Sequence, residues 1–291
     1  MKVKQLFSIM FLFVLLFAMT ACSTAAPAAQ ATPAAEATAA PEATQAPAAA
    51  TPATDDDWSY IKNKGKMVIG YTLYEPMNYM QDGKLVGFDT EFAQAVCKKL
   101  GVEPEFVEIV WETKEVELNA KTIDCIWNGM TIDADRLQNM SISQPYVKNM
   151  QVIVIKSENA SKYTDTASLS GKSIAAEAGS AGEKCAQENA DLSKGTIVPV
   201  VKQTDALLEV KAGTSDAAVL DYVLAKTMVG EGTDFSDLQI LSGVELAVEE
   251  YGIGFRKGST ATDAVNGAIK ELIADGTMQQ LADKYGVNLA D

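Results

Sequence analysis

The sequence predicts an α/β protein of the doubly wound class. From Lys66 onward, short apolar runs alternate with amphipathic helical stretches, the pattern of parallel strands covered by helices on both faces. Polar clusters recur where those runs end, and in such sheets the carboxyl ends of the strands are where ligands bind. Residues 55–291 hold these apolar positions and are long enough for one large or two medium domains.

The elements follow in order. KMVIGY (66–71) is a short apolar run behind a glycine-containing turn and reads as a buried strand. In FDTEFAQAVCKKLG (88–101), Phe88, Phe92 and Val96 recur every four residues, Asp89 is the expected N-cap and Gly101 stands past the end, so the stretch reads as an amphipathic helix. EFVEI (105–109) is the next strand, KEVELNAK (114–121) a helix, and IDCIW (123–127) a strand with Trp127 as a core residue. NGMTIDADR (128–136) then reads as a glycine-containing turn followed by a lone arginine. QVIVIK (151–156) opens a second series: the strand SIAAEA (173–178), the helix SAGEKCAQENA (180–190), the strand IVPV (197–200), the helix TDALLEVKAG (204–213) and the strand AAVLD (217–221). Polar sites at the ends of these strands can converge if two sheets face one another across a cleft.

The N-terminal region lies outside this pattern. Residues 1–21 carry Lys2 and Lys4, an apolar run from Leu6 to Met19 and small residues up to Ala21, a secretory signal rather than a fold element. FAMTAC (17–22) resembles a bacterial lipobox, which implies a diacylated Cys22 as the mature N-terminus. Residues 22–54 then form a tether of Ala, Pro, Thr and Gln without bulky apolar side chains, a composition that cannot bury enough surface to fold. The protein is therefore expected outside the cell, anchored to the outer face of the bacterial membrane through Cys22.

The formal net charge is −15, and removing the signal takes away two lysines and no acid. Such a polyanion repels nucleic acid. The chain has no histidine, and Cys97, Cys125 and Cys185 have no close spacing. A classical zinc site or a His-activated nucleophile is thereby disfavoured, and neither metal nor cofactor is expected. The thiols read as buried small hydrophobes, with a Cys97–Cys125 disulfide as the alternative.

Three places carry candidate chemistry. Arg136 follows GMT, whose Gly129 lets a backbone approach and whose Thr131 hydroxyl can donate; it is either a solvated surface charge or a fork for a carboxylate. Gly179, Ser180 and Ala181 stand at a strand-to-helix junction, where free N–H groups favour an anion and Ser180 is equally an ordinary N-cap. Asp221 closes its strand either as the cap of the helix YVLAKTMV or, facing a cleft, as the partner of an ammonium group. Taken together the three describe a zwitterion of the α-amino acid kind.

Across residues 57–288, seven ordered segments resemble the solute-binding proteins of polar amino acid ABC transporters: GKMVIGYTLYEPMNY, GKLVGFDTEFAQAV, TIDCIWNGMTIDADR, SQPY, LSGKSIAAEAGS, GTSDAAVLD and YGIGFRKG. The resemblance implies a type II periplasmic-binding-protein-like fold, two doubly wound lobes joined by a two-strand hinge. Lobe one would be 55–149 plus 250–291 and lobe two 150–249, with crossings near Asn149 and Glu250. It implies carboxylate binding by Thr131, Arg136 and backbone groups of Gly179, Ser180 and Ala181. Asp221, with backbone carbonyls of Asn128 and Gly129, would hold the α-amino group, and Tyr74 and Trp111 would wall the side chain. Many family members carry Ser or Thr where this chain has Ala181, so one hydroxyl donor is missing.

Tyr74 lies in a loop beside Pro76, which favours the cleft over the core. Glu177, just before the turn, faces either the ligand side chain, where it would favour a cationic or strongly hydrogen-bonding ligand, or solvent. The implied partners are a free amino acid, a permease and its cytoplasmic ATPase, with the protein itself a monomer. A cyclohexadienyl dehydratase-like enzyme on the same fold, with Glu177 as acid, and a sensory amino acid-binding module are the rival readings.

Overall fold

The computed structural model describes residues 56–291; the signal segment, the tether and Cys22 lie outside the described residues. The chain begins with α1 (Asp57–Lys64), β1 (Lys66–Tyr71), the hairpin β2 (Tyr79–Gln81) and β3 (Lys84–Val86), and α2 (Phe88–Leu100). It continues through β4 (Glu103–Glu108), α3 (Lys114–Asn119), β5 (Cys125–Thr131), α4 (Ala134–Asn139) and β6 (Met140–Ile142). The middle comprises β7 (Val147–Lys156), β8 (Ser173–Glu177), α5 (Ala181–Glu188), β9 (Thr196–Val200), α6 (Gln203–Ala212), β10 (Ala217–Asp221), α7 (Tyr222–Met228) and β11 (Leu238–Ile240). The chain closes with β12 (Ala247–Arg256), α8 (Ala261–Ala274) and α9 (Thr277–Tyr285).

The strands pair in the order β4-β1-β5-β12-β7-β10-β8-β9. At one end β1 runs parallel to β4 and β5, and at the other β8 runs parallel to β9 and β10, as the strand and helix alternation predicts. Between these parallel ends β7 and β12 run antiparallel to their neighbours and link the two into one path, so the sheet as a whole is mixed. Each is ten residues long and uses its two halves differently. Val147–Gln151 pairs with β12 and Gln151–Ile155 with β10, while Ala247–Tyr251 pairs with β7 and Tyr251–Phe255 with β5.

Helix α2 buries Phe88, Phe92, Ala93, Val96 and Cys97 on one face. It stops at Gly101, whose φ of 70° is the left-handed conformation a C-terminal glycine adopts without strain. Asp89 is not its N-cap; Gly87 takes that position. One step inside the helix, the Asp89 side chain turns to β5 and accepts from the Gly129 N–H at 2.7 Å and the Tyr146 hydroxyl at 3.0 Å. Burial raises its carboxyl to about 7 against those two hydrogen bonds.

Trp127 is fully buried, with Phe92 edge-on at 5.0 Å between ring centroids. Cys97 and Cys125 are buried free thiols, so the disulfide alternative does not hold. Among the described residues, no helix is long and apolar enough to cross a membrane.

Candidate functional site

The register of the crossing strands brings the polar strand ends together. Asp221 at the end of β10 stands opposite Gln151, and Thr131 at the end of β5 stands opposite Tyr251. Glu177 ends β8 nearby, so three C-terminal strand ends meet at one cleft. Every expected ligand residue except Tyr74 and Gly179 lines that cleft, and Gln203 joins them.

NGMT is not a turn after the strand; it is the last part of β5, whose pairing with β12 is irregular around Gly252 and Gly254. Gly129 has a φ of 55°, and a Cβ there would lie 2.7 Å from the Tyr74 ring and 3.0 Å from the Tyr251 ring. Only glycine lets the strand pass so close to both rings.

Arg136 is not a surface charge. It is 6% exposed, and Nη1 donates to the Thr131 carbonyl at 2.8 Å while Nε lies 3.4 Å from Asp133 Oδ2. Asp133 also caps α4 by accepting from the Arg136 N–H at 2.9 Å, so this acid is part of the arginine's mounting rather than a solvated neighbour. Asp135 is exposed, yet it pairs with Lys184 on α5. The Thr131 hydroxyl lies 2.9 Å from Glu249 Oε1, which is its acceptor in this arrangement.

At the 179–181 turn, Ser180 is the N-cap of α5 and accepts from the Glu183 N–H at 3.0 Å. The Gly179 N–H goes to Glu183 Oε2 at 2.7 Å and the Ser180 N–H to the Glu177 carbonyl at 3.1 Å. Of the three expected backbone donors, two are therefore engaged within the turn. Ala181 is the first helical residue, whose N–H has no intrahelical acceptor. The Gly179 carbonyl accepts from Lys114 Nζ at 3.0 Å and Arg136 Nη2 at 3.5 Å, contacts that join α3 and α4 to the turn.

Asp221 occupies the N-cap position of α7 but makes no side-chain cap hydrogen bond. Its carboxylate turns inward instead. Oδ1 accepts from Asn149 Nδ2 at 2.6 Å and Gln151 Nε2 at 2.8 Å, and Oδ2 accepts from Gln203 Nε2. Gln203 also accepts the Asp221 N–H at 3.0 Å, so one amide fixes both backbone and carboxylate. Burial raises the Asp221 carboxyl against these donors.

Sequence reasoning missed Asn149, Gln151, Gln203, Glu249 and Tyr251. A signal existed for two of them: Asn149 and Gln151 are two apart on one strand and so share a face.

Trp111 is 5% exposed and carries two cations over its ring, Lys114 Nζ at 4.8 Å and the Arg136 guanidinium carbon at 5.9 Å from the centroid. Tyr74 needs correction: it is 2% exposed and packs in the main core, with its hydroxyl 2.5 Å from that of Tyr251. The loop that carries it folds inward because Tyr74 and Asn78 exchange backbone hydrogen bonds at 2.7 and 2.8 Å. The Asn128 side chain is engaged with Thr72 and Asn78, leaving its backbone toward the cleft.

Glu177 is 4% exposed, and its Oε1 meets no donor. Burial first, and then the charge of Asp221, raise its carboxyl to about 8. Lys114 moves the opposite way, down to about 8, through burial and the neighbouring Arg136. Arg136, Glu177 and Asp221 thus line one buried cleft, an arrangement of both charge signs suited to a small zwitterion, and Lys114 stands behind it on the Gly179 carbonyl.

Residues 67–288 match the model of the bacterial extracellular solute-binding proteins, family 3. The chain is 29% identical over 229 residues to the L-cystine-binding protein TcyJ of Escherichia coli (strain K12), covering 77% of this chain and 84% of that one. It is 31% identical over 210 residues to the L-arginine-binding protein of Pseudomonas aeruginosa, covering 70% and 80%. A crystal structure of the P235GK mutant of ArgBP from T. maritima superposes with a TM-score of 0.72 at 33% identity, covering 79% of this chain and 98% of that one. With the two-lobed fold and the cleft between its strand ends, these matches place the chain: it belongs to the bacterial extracellular solute-binding proteins, family 3.

Proposed function

We propose that the protein is the extracytoplasmic substrate-binding component of an ABC importer, which binds a polar or cationic α-amino acid between two lobes and delivers it to a permease. One observation carries this reading: Arg136, the start of α5 and the amide-braced Asp221 line a single buried cleft. Arg136, Thr131 and the Ala181 N–H take the carboxylate, Asp221 takes the ammonium, and Trp111 and Glu177 face the side chain. Relatives named for cystine and arginine support the same ligand class.

Lobe one comprises 55–149 with 250–291 and lobe two 150–249, hinged where β7 and β12 cross. A ligand that touches both lobes favours the closed form, which the permease reads. A lipid on Cys22 and the tether keep the protein near that permease and raise its effective concentration.

A thermal-shift screen of the twenty common L-amino acids with ornithine, citrulline and cystine tests the reading, because a ligand that binds only the folded state raises Tm. A polar or cationic α-amino acid giving the largest shift is the expected result. A flat screen, or turnover of prephenate or arogenate in place of binding, would overturn it in favour of the dehydratase reading.

A further inference from the structure

Asp221 of the proposed amino acid site shares its two bracing amides with a second acid, Glu249, which lines the adjoining pocket beside Thr131 and Ala181. Asn149 Nδ2 lies 2.6 Å from Asp221 Oδ1 and 2.6 Å from Glu249 Oε1. Gln151 Nε2 lies 2.8 Å and 2.9 Å from the same two oxygens. Oxygens that share a neighbour at that distance can be no further apart than twice it. Two largely buried carboxylates so close resist double ionisation unless a cation lies between them.

Among the described residues no cationic side chain pairs with either acid. Arg136 is directed to Asp133 and the Thr131 carbonyl, Lys114 to the carbonyls of Trp111 and Gly179, and Lys184 to Asp135. The other titratable groups facing the pair are acids, phenols or a thiol. Glu177, Tyr74 and Tyr251 lie toward Asp221. Cys185, Glu188 and Asp133 share the outer face with Glu249. Glu177, buried in the same cleft with an oxygen that no donor meets, independently points to an incoming donor. No grouping of three or more His, Cys, Asp or Glu among the described residues fits a metal ion.

We propose that Asp221 and Glu249 form one two-carboxylate subsite that holds a single proton in the free protein and exchanges it for the ligand's α-ammonium. The inference rests on the amino acid reading above. The balance is simple. The singly protonated pair has one negative charge; after release of its proton to solvent it has two, and the bound ammonium returns the occupied subsite to one. Asn149 and Gln151, each amide offering two hydrogens, brace both carboxylates and set the spacing of the pair. Burial and the nearby Asp221 charge raise the Glu249 carboxyl to about 7, in keeping with a proton that is held and yet released near neutrality.

The first test needs no ligand. Potentiometric titration of the wild type and of Glu249→Gln should differ by about one proton bound by the wild type between its ordinary carboxyl range and neutrality. Identical curves would overturn the proposal. The second test is calorimetry with L-arginine, L-histidine and L-cystine as probes, in phosphate and in Tris, whose ionisation heats differ. The wild type should release about one proton per bound amino acid, its affinity rising about tenfold per pH unit below neutrality, while Glu249→Gln binds and releases none. Equal proton release by both proteins would overturn the exchange. If none of the three binds, the amino acid giving the largest thermal shift takes their place; if that screen is also flat the amino acid reading fails and the exchange with it, whereas the titration still decides whether the pair holds a proton. Glutamine keeps the shape and acceptor oxygen of Glu249, and a cooperative melting transition like the wild type's below the ordinary carboxyl range, where the acid is protonated in both folded and unfolded chains, checks that the variant folds.

Discussion

Arg136 donates through Nη1 to the backbone carbonyl of Thr131 at 2.8 Å, five residues before it in the chain. The guanidinium is thereby locked to the end of β5, with a ring of Trp111 on one side and Asp133 at its Nε. A rigid fork in a buried cleft recognises a carboxylate as a lysine cannot. Arg136→Ala is expected to weaken amino acid binding by about 3–5 kcal/mol, because it leaves a buried carboxylate unpaired. Calorimetry on the amino acid identified by the thermal-shift screen measures this, and an unchanged affinity would remove Arg136 from the site.

Gln203 grips Asp221 at both backbone and side chain. Gln203→Leu keeps the bulk and removes both contacts, leaving the Asp221 N–H without this acceptor and Oδ2 unsatisfied unless the ligand ammonium supplies the bond. Affinity should fall by about 1–3 kcal/mol, the range for a lost hydrogen bond to a charged group. Full retention of affinity would mean that Asp221 needs no such brace.

The alternation of strands and helices was legible from periodicity, and so was the gathering of Thr131, Glu177 and Asp221 at strand ends. Arg136, Thr131 and Asp221 could be grouped because their chemistry is complementary. Tyr74 was misread because a loop position beside a proline says nothing of the backbone pairing that turns the loop inward. The amides that brace Asp221 were missed for a related reason. Asn149 and Gln151 reach it only because β7 runs antiparallel to β10 in one register, a long-range fact that no local pattern encodes. The donors of the 179–181 turn depended on Glu183, whose side chain folds back onto Gly179.

Gly129→Ala should destabilise the fold rather than only the site. Its φ is 55° and the added methyl would meet Tyr74 and Tyr251, whose paired hydroxyls leave the rings little freedom. Overpacking of this kind costs about 1–3 kcal/mol, to which the left-handed backbone adds about 1 kcal/mol. Denaturant unfolding of the free protein measures the loss; a shift under about 0.5 kcal/mol, the scale of a neutral surface change, would contradict the packing.

The free protein should lose stability as pH rises toward 8. Asp89 is raised from 3.8 to about 7, Glu249 from 4.5 to about 7 and Glu177 from 4.5 to about 8, each chiefly by burial. Between the ordinary and the raised values the folded chain binds protons that the unfolded chain has released, so stability falls with pH. The contribution is full below the ordinary carboxyl range and is lost as pH passes through about 7 to 8. Lys114, lowered from 10.5 to about 8, acts with the opposite sign but only above that window. Melting curves across this range test the prediction, and Glu177→Gln should flatten its upper end; a Tm that rises from acid to neutral pH would contradict it.

Two exposed ion pairs join the two proposed lobes, Lys184 with Asp135 and Lys202 with Glu108, the latter at 2.7 Å. Their side chains are between 31% and 69% exposed, so each is worth about 0–1 kcal/mol at most. Such pairs can bias an equilibrium between open and closed forms without holding it, and closure must then come from the ligand's own contacts. Asp135→Asn combined with Glu108→Gln should lower amino acid affinity by less than about tenfold, or about 1.4 kcal/mol. The loss should shrink as salt rises, because screening already weakens the same pairs in the wild type. Calorimetry at low and high ionic strength separates the cases: a salt-independent loss, or one approaching that of Arg136→Ala, would mean that these pairs belong to the binding site itself.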